Sequence, residues 1–153
     1  MTDHGYKGPE PFARSPVTRR EGITLRVGID LVPIAEVREA IEQFGDRYLD
    51  RLFTDAERAV CGANVDRIAS RLAERFAAKE ATIKVLQPED GVTYTDIEVV
   101  ARPDGSSALA LHGPMGELAR KAGLTGSSLS MTHSAHYAAA AVVAVAAEAR
   151  AKS

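Results

Sequence analysis

The stretch Ile23-Thr-Leu-Arg-Val-Gly-Ile-Asp-Leu31, followed by Pro33 and the run from Ile34 to Phe44, decides the fold. Ile23, Leu25, Val27, Ile29 and Leu31 alternate with Thr24, Arg26, Gly28 and Asp30, the two-residue period of a β-strand. That alternation sends Asp30 to the face opposite the apolar set. Pro33 then suits the first turn of a helix, and Ile34, Val37, Ile41 and Phe44 recur at helical spacing until Gly45 ends the segment.

Moving outward, Thr54 and Glu57 stand in the relation of a capping box, opening a short helix that Gly62 closes. A third helical segment is predicted from about Asp66 to Leu86, with a stripe that includes Ile68, Leu72, Phe76 and Ile83. Residues 96–102 and 107–111 flank Pro103-Asp104-Gly105, a turn sequence that favours a hairpin. A short helix from Pro114 to Ala122 follows, with Gly123 as its stop. Leu129 and Met131 alternate with Ser128, Ser130 and Thr132, predicting a strand that ends at His133. By propensity the segment from Tyr137 to Val145 suits either state, since alanine favours helix and valine tolerates both. The order of elements is an α+β pattern and not an alternating, doubly wound one.

A chain of 153 residues, 45% apolar, suits one well-buried core. We divide it into a flexible N-terminal arm (1–22) rich in glycine, proline and charge, a domain (23–148) and a short C-terminal tail (149–153). The net charge of −2, with both signs mixed, excludes a general nucleic-acid binder, which carries a basic surplus or stripe. Cys61 is the single cysteine, so neither an intrachain disulfide nor a cysteine zinc cluster is available, and a reducing cytoplasm fits. No uncharged apolar run approaches the roughly 20 residues of a membrane span, and the N-terminus lacks an apolar signal core.

Three residues stand out against this frame. Glu80 continues the apolar stripe of its helix, four positions after Phe76 and three before Ile83, where a carboxylate is costly unless paired or metal-bound. Its plain alternative is an i,i+4 ion pair with Lys84. Asp30 follows Gly28, whose missing side chain lets another backbone or a ligand approach; it offers either a second oxygen ligand or a cap for the next helix. His133 closes a strand after Ser128, Ser130 and Thr132, as a catalyst or as a structural hydrogen-bonder or surface group. His112 and His136 have weaker claims, and Cys61 reads as a small core residue. Arg75 and Lys79 add positive charge beside Glu80, and two carboxylates with phosphate oxygens and water would suit Mg²⁺. Together these residues suit a Mg²⁺-assisted phosphate site.

The segments Val27-Gly-Ile-Asp-Leu-Val32, Arg75-Phe-Ala-Ala-Lys-Glu-Ala81 with Lys84, and Ser128-Leu-Ser-Met-Thr-His133 occur in an order that resembles holo-acyl-carrier-protein synthase type phosphopantetheinyl transferases. Phe53-Thr54-x-x-Glu57 and Asp96-Ile-Glu-Val99 resemble family counterparts too, and the resemblance covers roughly residues 26–146. It implies an α+β fold with the alanine-rich end as a strand, and transfer of 4'-phosphopantetheine from coenzyme A to a serine of an apo acyl carrier protein. It also implies that Asp30 and Glu80 bind Mg²⁺, that Lys84 neutralises phosphate charge, that Arg67, Arg75 and His133 hold coenzyme A phosphates, and that the chain forms a homotrimer with shared sites. Two departures bear on loop geometry: Glu74 stands where the family commonly has glycine, and Gln87-Pro-Glu-Asp-Gly91 replaces a glycine-rich stretch.

Carrier proteins of the kind implied present an acidic helix. Here Arg38, Arg47 and Arg51 are interrupted by Glu36, Glu39, Glu42, Asp46 and Asp50, so we expect Arg47 and Arg51 to make the main carrier contacts and the partner to be a less acidic or dedicated carrier. The competing readings are a Mg²⁺-dependent phosphate hydrolase and a coenzyme A or carrier-binding module without turnover.

Overall fold

The computed structural model describes residues 22–62 and 65–147. The expected arm, apart from Gly22, and the expected tail lie outside the described residues. β1 (Ile23–Pro33) leads into α1 (Ile34–Phe44), and Gly45, at φ 53°, separates α1 from α2 (Asp46–Leu52). α3 (Asp55–Ala59) opens on the Thr54/Glu57 capping box, and α4 (Val65–Leu86) is the long central helix. A 3₁₀ turn at Tyr94–Asp96 precedes the hairpin β2 (Ile97–Ala101) and β3 (Ser107–Leu111); α5 (Gly113–Lys121), β4 (Leu124–His133) and β5 (Tyr137–Ala147) complete the order. The expected elements are present as an α+β fold. The seven-residue α2 was not anticipated, because it is too short to show a helical period of its own.

The three-stranded sheet has the order β1-β5-β4, all neighbours antiparallel. Which face of it is the core reverses what residue size would suggest. Ile23, Leu25, Val27, Ile29 and Leu31, the large apolar set of β1, are 54 to 67% exposed. The inner face carries Gly28 and Val32 from β1 with Ala138, Ala140, Val142, Ala144 and Ala146 from β5. α4 answers with buried Ala69, Ala73, Ala77, Ala78 and Ala81. Small residues on both elements let the helix lie close on the sheet, and this is what the alanine-rich segment does as a strand. The approach is tightest at Gly28, where an added Cβ would stand 2.0 Å from the Ala81 carbonyl oxygen and 3.0 Å from Val85.

A buried ion pair ties the rest to α4. Lys79 and Glu57, both fully buried, meet at 2.8 Å. Lys79 Nζ also donates to the carbonyls of Ile97 (2.6 Å) and Tyr94 (3.0 Å), using all three of its hydrogens. Glu57 accepts from the backbone N–H of Thr54 and of Val99 at 2.9 Å each. Burial pulls the Lys79 ammonium below its ordinary range, and the Glu57 charge pulls it back. Lys79 is thus an internal clasp joining α3, α4, the 3₁₀ turn and β2, and it does not belong with the phosphate-facing cations among which its sequence position put it.

Gly28→Ala is expected to cost about 1–3 kcal/mol or more, as overpacking does, because the atom in the way is backbone and cannot rotate aside. A urea unfolding midpoint equal to that of the parent would show that helix and strand can separate there without loss.

Candidate active site

The close contact at Gly28 brings the inner face of β1 against the last turns of α4. Asp30, two residues on, therefore meets Lys84, whose Nζ lies 2.8 Å from Asp30 Oδ1 and 2.8 Å from the Ile29 carbonyl oxygen. The expected alternatives for these residues are not what forms: Lys84 pairs with Asp30 and not with Glu80, and α1 begins at Ile34, after Pro33, without a side-chain cap. Lys84 is half exposed and Asp30 partly so, which leaves the pair open to a ligand.

Glu80 sits one turn before Lys84 and accepts the Tyr94 hydroxyl at 2.5 Å through Oε1. Tyr94 stacks on Phe76, with ring centroids 5.7 Å apart and planes at 28°. Its phenol is pushed up to about 12 by burial first, then by the bond to Glu80 and the charges of Glu80 and Asp30, while Arg51 acts in the opposite sense. Both carboxylates and Arg51 of α2 thus act on one phenol, so Asp30, Glu80, Lys84, Tyr94 and Arg51 share a neighbourhood.

A second cluster forms toward the other end of α4. His133 Nδ1 lies 2.8 Å from Glu74 Oε1, which gives the departure at position 74 a contact. Arg75, next on the helix, is largely buried: its Nη1 donates to the Arg71 carbonyl at 3.1 Å, and its buried Nε meets no partner among the described residues. Arg67 is exposed on the first turns of α4. Glu74 and Lys84 are separated along the helix axis by about 15 Å, at about 1.5 Å per residue. Within one copy, then, Asp30 pairs with Lys84 one helical turn from Glu80, while His133 meets Glu74, and Arg75 and Arg67 lie farther back along α4.

Arg47 and Arg51 project from α2 beside Phe44 and Tyr48, around a shallow cavity of about 280 Å³. Arg58 of α3 engages Asp46 at 2.7 Å and also pairs with Asp50. Two of the acids that interrupt the basic run, Asp46 and Asp50, are therefore paired. A more apolar cavity of about 240 Å³ lies between the end of α4, β3, α5 and the β4–β5 pair, but its lining carries no charged group. The charged groups gather instead at the open cluster of Asp30, Glu80 and Lys84. Cys61 is buried with its thiol pushed up by burial, which suits a core role, and His112 pairs with Glu98 at 2.9 Å.

Sequence reading missed Tyr94 as a partner of Glu80. The two are 14 positions apart, and an aromatic residue just ahead of a hairpin carries no signal of where its hydroxyl will point. Glu74 was visible as a departure, whereas its contact with His133, 59 positions away, was not.

Known proteins are similar to this chain in sequence and fold. Residues 26–142 match the family model of the 4'-phosphopantetheinyl transferase superfamily. A holo-[acyl-carrier-protein] synthase from Leptospira biflexa is 41% identical over 121 residues, covering 78% of this chain and 94% of that protein. One from Koribacter versatilis is 37% identical over 121 residues, with 78% and 96% covered. The fold is similar to that of Helicobacter pylori holo-[acyl-carrier-protein] synthase solved in complex with coenzyme A, with a TM-score of 0.67, 29% identity, and 77% of this chain and 98% of that one covered. The matched span runs from the strand that carries Asp30, through the helix that carries Glu80 and Lys84, to the strand that ends at His133, and on that match the chain belongs to the 4'-phosphopantetheinyl transferase superfamily.

Proposed function

We propose that this protein transfers the 4'-phosphopantetheine arm of coenzyme A to a serine of an apo acyl carrier protein, releasing 3',5'-ADP. The observation that carries the reading is the Asp30–Lys84 pair between β1 and α4, beside a Glu80 fixed by Tyr94 from a third segment of a matched family domain. In this reading residues 23–148 are the catalytic domain, and the free, buried Cys61 accords with work in the cytoplasm.

The residues present fit Mg²⁺. Asp30 and Glu80 each commit one oxygen, to Lys84 and to Tyr94, and among the described residues the second oxygen of each accepts no hydrogen bond. Among the described residues no group of three or more histidine, cysteine or carboxylate side chains converges as a metal site. Two carboxylates with phosphate oxygens and water are what Mg²⁺ usually takes. When bound, the ion would draw negative charge from the diphosphate oxygens.

Lys84 commits two of its three hydrogens to Asp30 and Ile29, leaving one on an exposed ammonium to meet a phosphate oxygen. As the serine oxygen attacks the pantetheine-side phosphorus and the diphosphate bond breaks, that contact offsets charge gathering on the leaving 3',5'-ADP. Arg67, Arg75 and His133 are assigned to coenzyme A phosphates. Since Arg75 and Arg67 lie about 14 Å and about 26 Å along α4 from Lys84 in the same copy, and His133 is held at Glu74, we assign them to a site shared between subunits of a homotrimer. The exposed stripe of Ile23, Leu25, Val27, Ile29 and Leu31, with Val143 paired to Val27, supports such a contact. Arg47 and Arg51, with Asp46 and Asp50 occupied by Arg58, form the carrier-docking surface, and Arg51 lies close enough to act on Tyr94. Glu36, Glu39 and Glu42 keep the surface mixed, which favours a less acidic carrier.

Incubation with coenzyme A, Mg²⁺ and a panel of apo carriers is expected to add phosphopantetheine mass to a carrier serine. Phosphate release without a carrier would favour a hydrolase, and tight binding without turnover a binding module. Glu80→Gln should lower transfer by about 100-fold or more with the fold intact, the upper end of what loss of one neighbouring partner does at a metal site. Lys84→Ala should lower kcat by about 100- to 1,000-fold with little change in carrier KM; a pure KM effect would move Lys84 to the docking surface.

Reversal of Arg47 or Arg51 to Glu should raise carrier KM at low salt and leave coenzyme A binding unchanged, and unaltered carrier kinetics in both would remove the docking assignment.

Sedimentation should give the mass of three copies for the parent and a smaller species for Val27→Glu, with transfer lost in parallel. A parent that sediments as a monomer at full activity would end the trimer assignment.

A further inference from the structure

Tyr94 is held at three points by the helix that carries Glu80. Its ring lies on Phe76, its carbonyl oxygen accepts from Lys79 Nζ at 3.0 Å, and its hydroxyl reaches Glu80 Oε1 at 2.5 Å. These three partners stand at i, i+3 and i+4 on α4, so the aromatic plane, the backbone and the polar tip are each fixed to the same rigid element. Lys79 is itself locked by Glu57 and Ile97 in the core. The hydroxyl is therefore delivered to one carboxylate oxygen by a support that cannot swing away.

A glutamate with one oxygen held in this way offers the other to a cation. Ca²⁺ takes six to eight oxygens at longer range and often uses a carboxylate bidentately, whereas Mg²⁺ demands a compact octahedron and takes carboxylates one oxygen at a time. We propose that Tyr94 is a positioning residue which, by occupying Oε1, makes Glu80 a one-oxygen ligand and so sets the cluster's preference for Mg²⁺ over Ca²⁺. The inference rests on the assignment of Glu80 as a metal ligand. It adds a residue and a selectivity to that assignment.

The test is Tyr94→Phe, which keeps the ring on Phe76 and the backbone bond to Lys79 and removes only the hydroxyl. Mn²⁺ binding to the full chain with coenzyme A but no carrier is followed by electron paramagnetic resonance, with coenzyme A alone subtracted, and Mg²⁺ and Ca²⁺ are titrated as competitors. In the parent, Mg²⁺ is expected to displace Mn²⁺ better than Ca²⁺ does. In Tyr94→Phe, Mg²⁺ affinity should fall about tenfold, as for loss of an outer partner of a metal ligand, while Ca²⁺ affinity holds or rises, narrowing the preference about tenfold. An equal loss for both ions, or a ratio within twofold of the parent, would overturn the inference and leave Tyr94 a packing residue. Glu80→Gln is the control: if it binds Mn²⁺ as the parent does, or if the parent binds none, the metal assignment of Glu80 fails and the inference with it.

Discussion

The contact between the Ala81 carbonyl and Gly28 is the constraint from which the rest of the arrangement follows. Only a residue without a Cβ leaves room for a helix backbone at that distance, and only a neighbouring strand of small residues lets the helix stay close along its length. With α4 held there, Asp30 cannot avoid Lys84, and the strand's large apolar side chains must point away from the helix. The same packing choice thus builds the charged cluster and leaves an apolar face for another surface.

The second constraint works from the opposite flank of α4. Lys79 and Glu57 would each be expensive to bury alone, and together they form a fully paired group that reaches four other backbone positions. Their reach to the Tyr94 carbonyl joins the buried network to the surface site, because the residue clasped by its backbone is the one whose hydroxyl holds Glu80. One helix consequently serves two environments: Lys79 faces a dry interior, and Glu80, its neighbour in sequence, faces the candidate site.

Transfer of a large donor arm to a protein acceptor asks for an open site with fixed charges, and the geometry meets that demand in parts. Asp30, Lys84 and Glu80 are held by elements of one copy, whereas His133 and Arg75 lie well along the helix beside Glu74. On the proposed function, a donor whose phosphates meet both groups would lie where two copies meet, and the exposed apolar side of the β1-β5-β4 sheet is the surface proposed for that contact.

Local pattern was enough for much of this. The alternation of Ile23 to Leu31, the Thr54/Glu57 box, the Pro103-Asp104-Gly105 turn and the glycine stops all act over a few residues, and each produced its element. The anomaly of a carboxylate on an apolar stripe marked Glu80, and the order of three short motifs marked Asp30, Lys84 and His133 as its companions. Only the tertiary structure decided which face of β1 is buried, because that depends on which side the alanines of α4 and β5 can approach and not on the size of the residues in β1 itself. It alone gave Lys84 to Asp30, Lys79 to Glu57, Glu74 to His133 and Tyr94 to Glu80, pairs 14 to 59 positions apart whose partners are chosen by helix phase and strand register. Periodicity tells a residue which way to point relative to its neighbours; what it points at is set by the packing of elements that are distant in the chain.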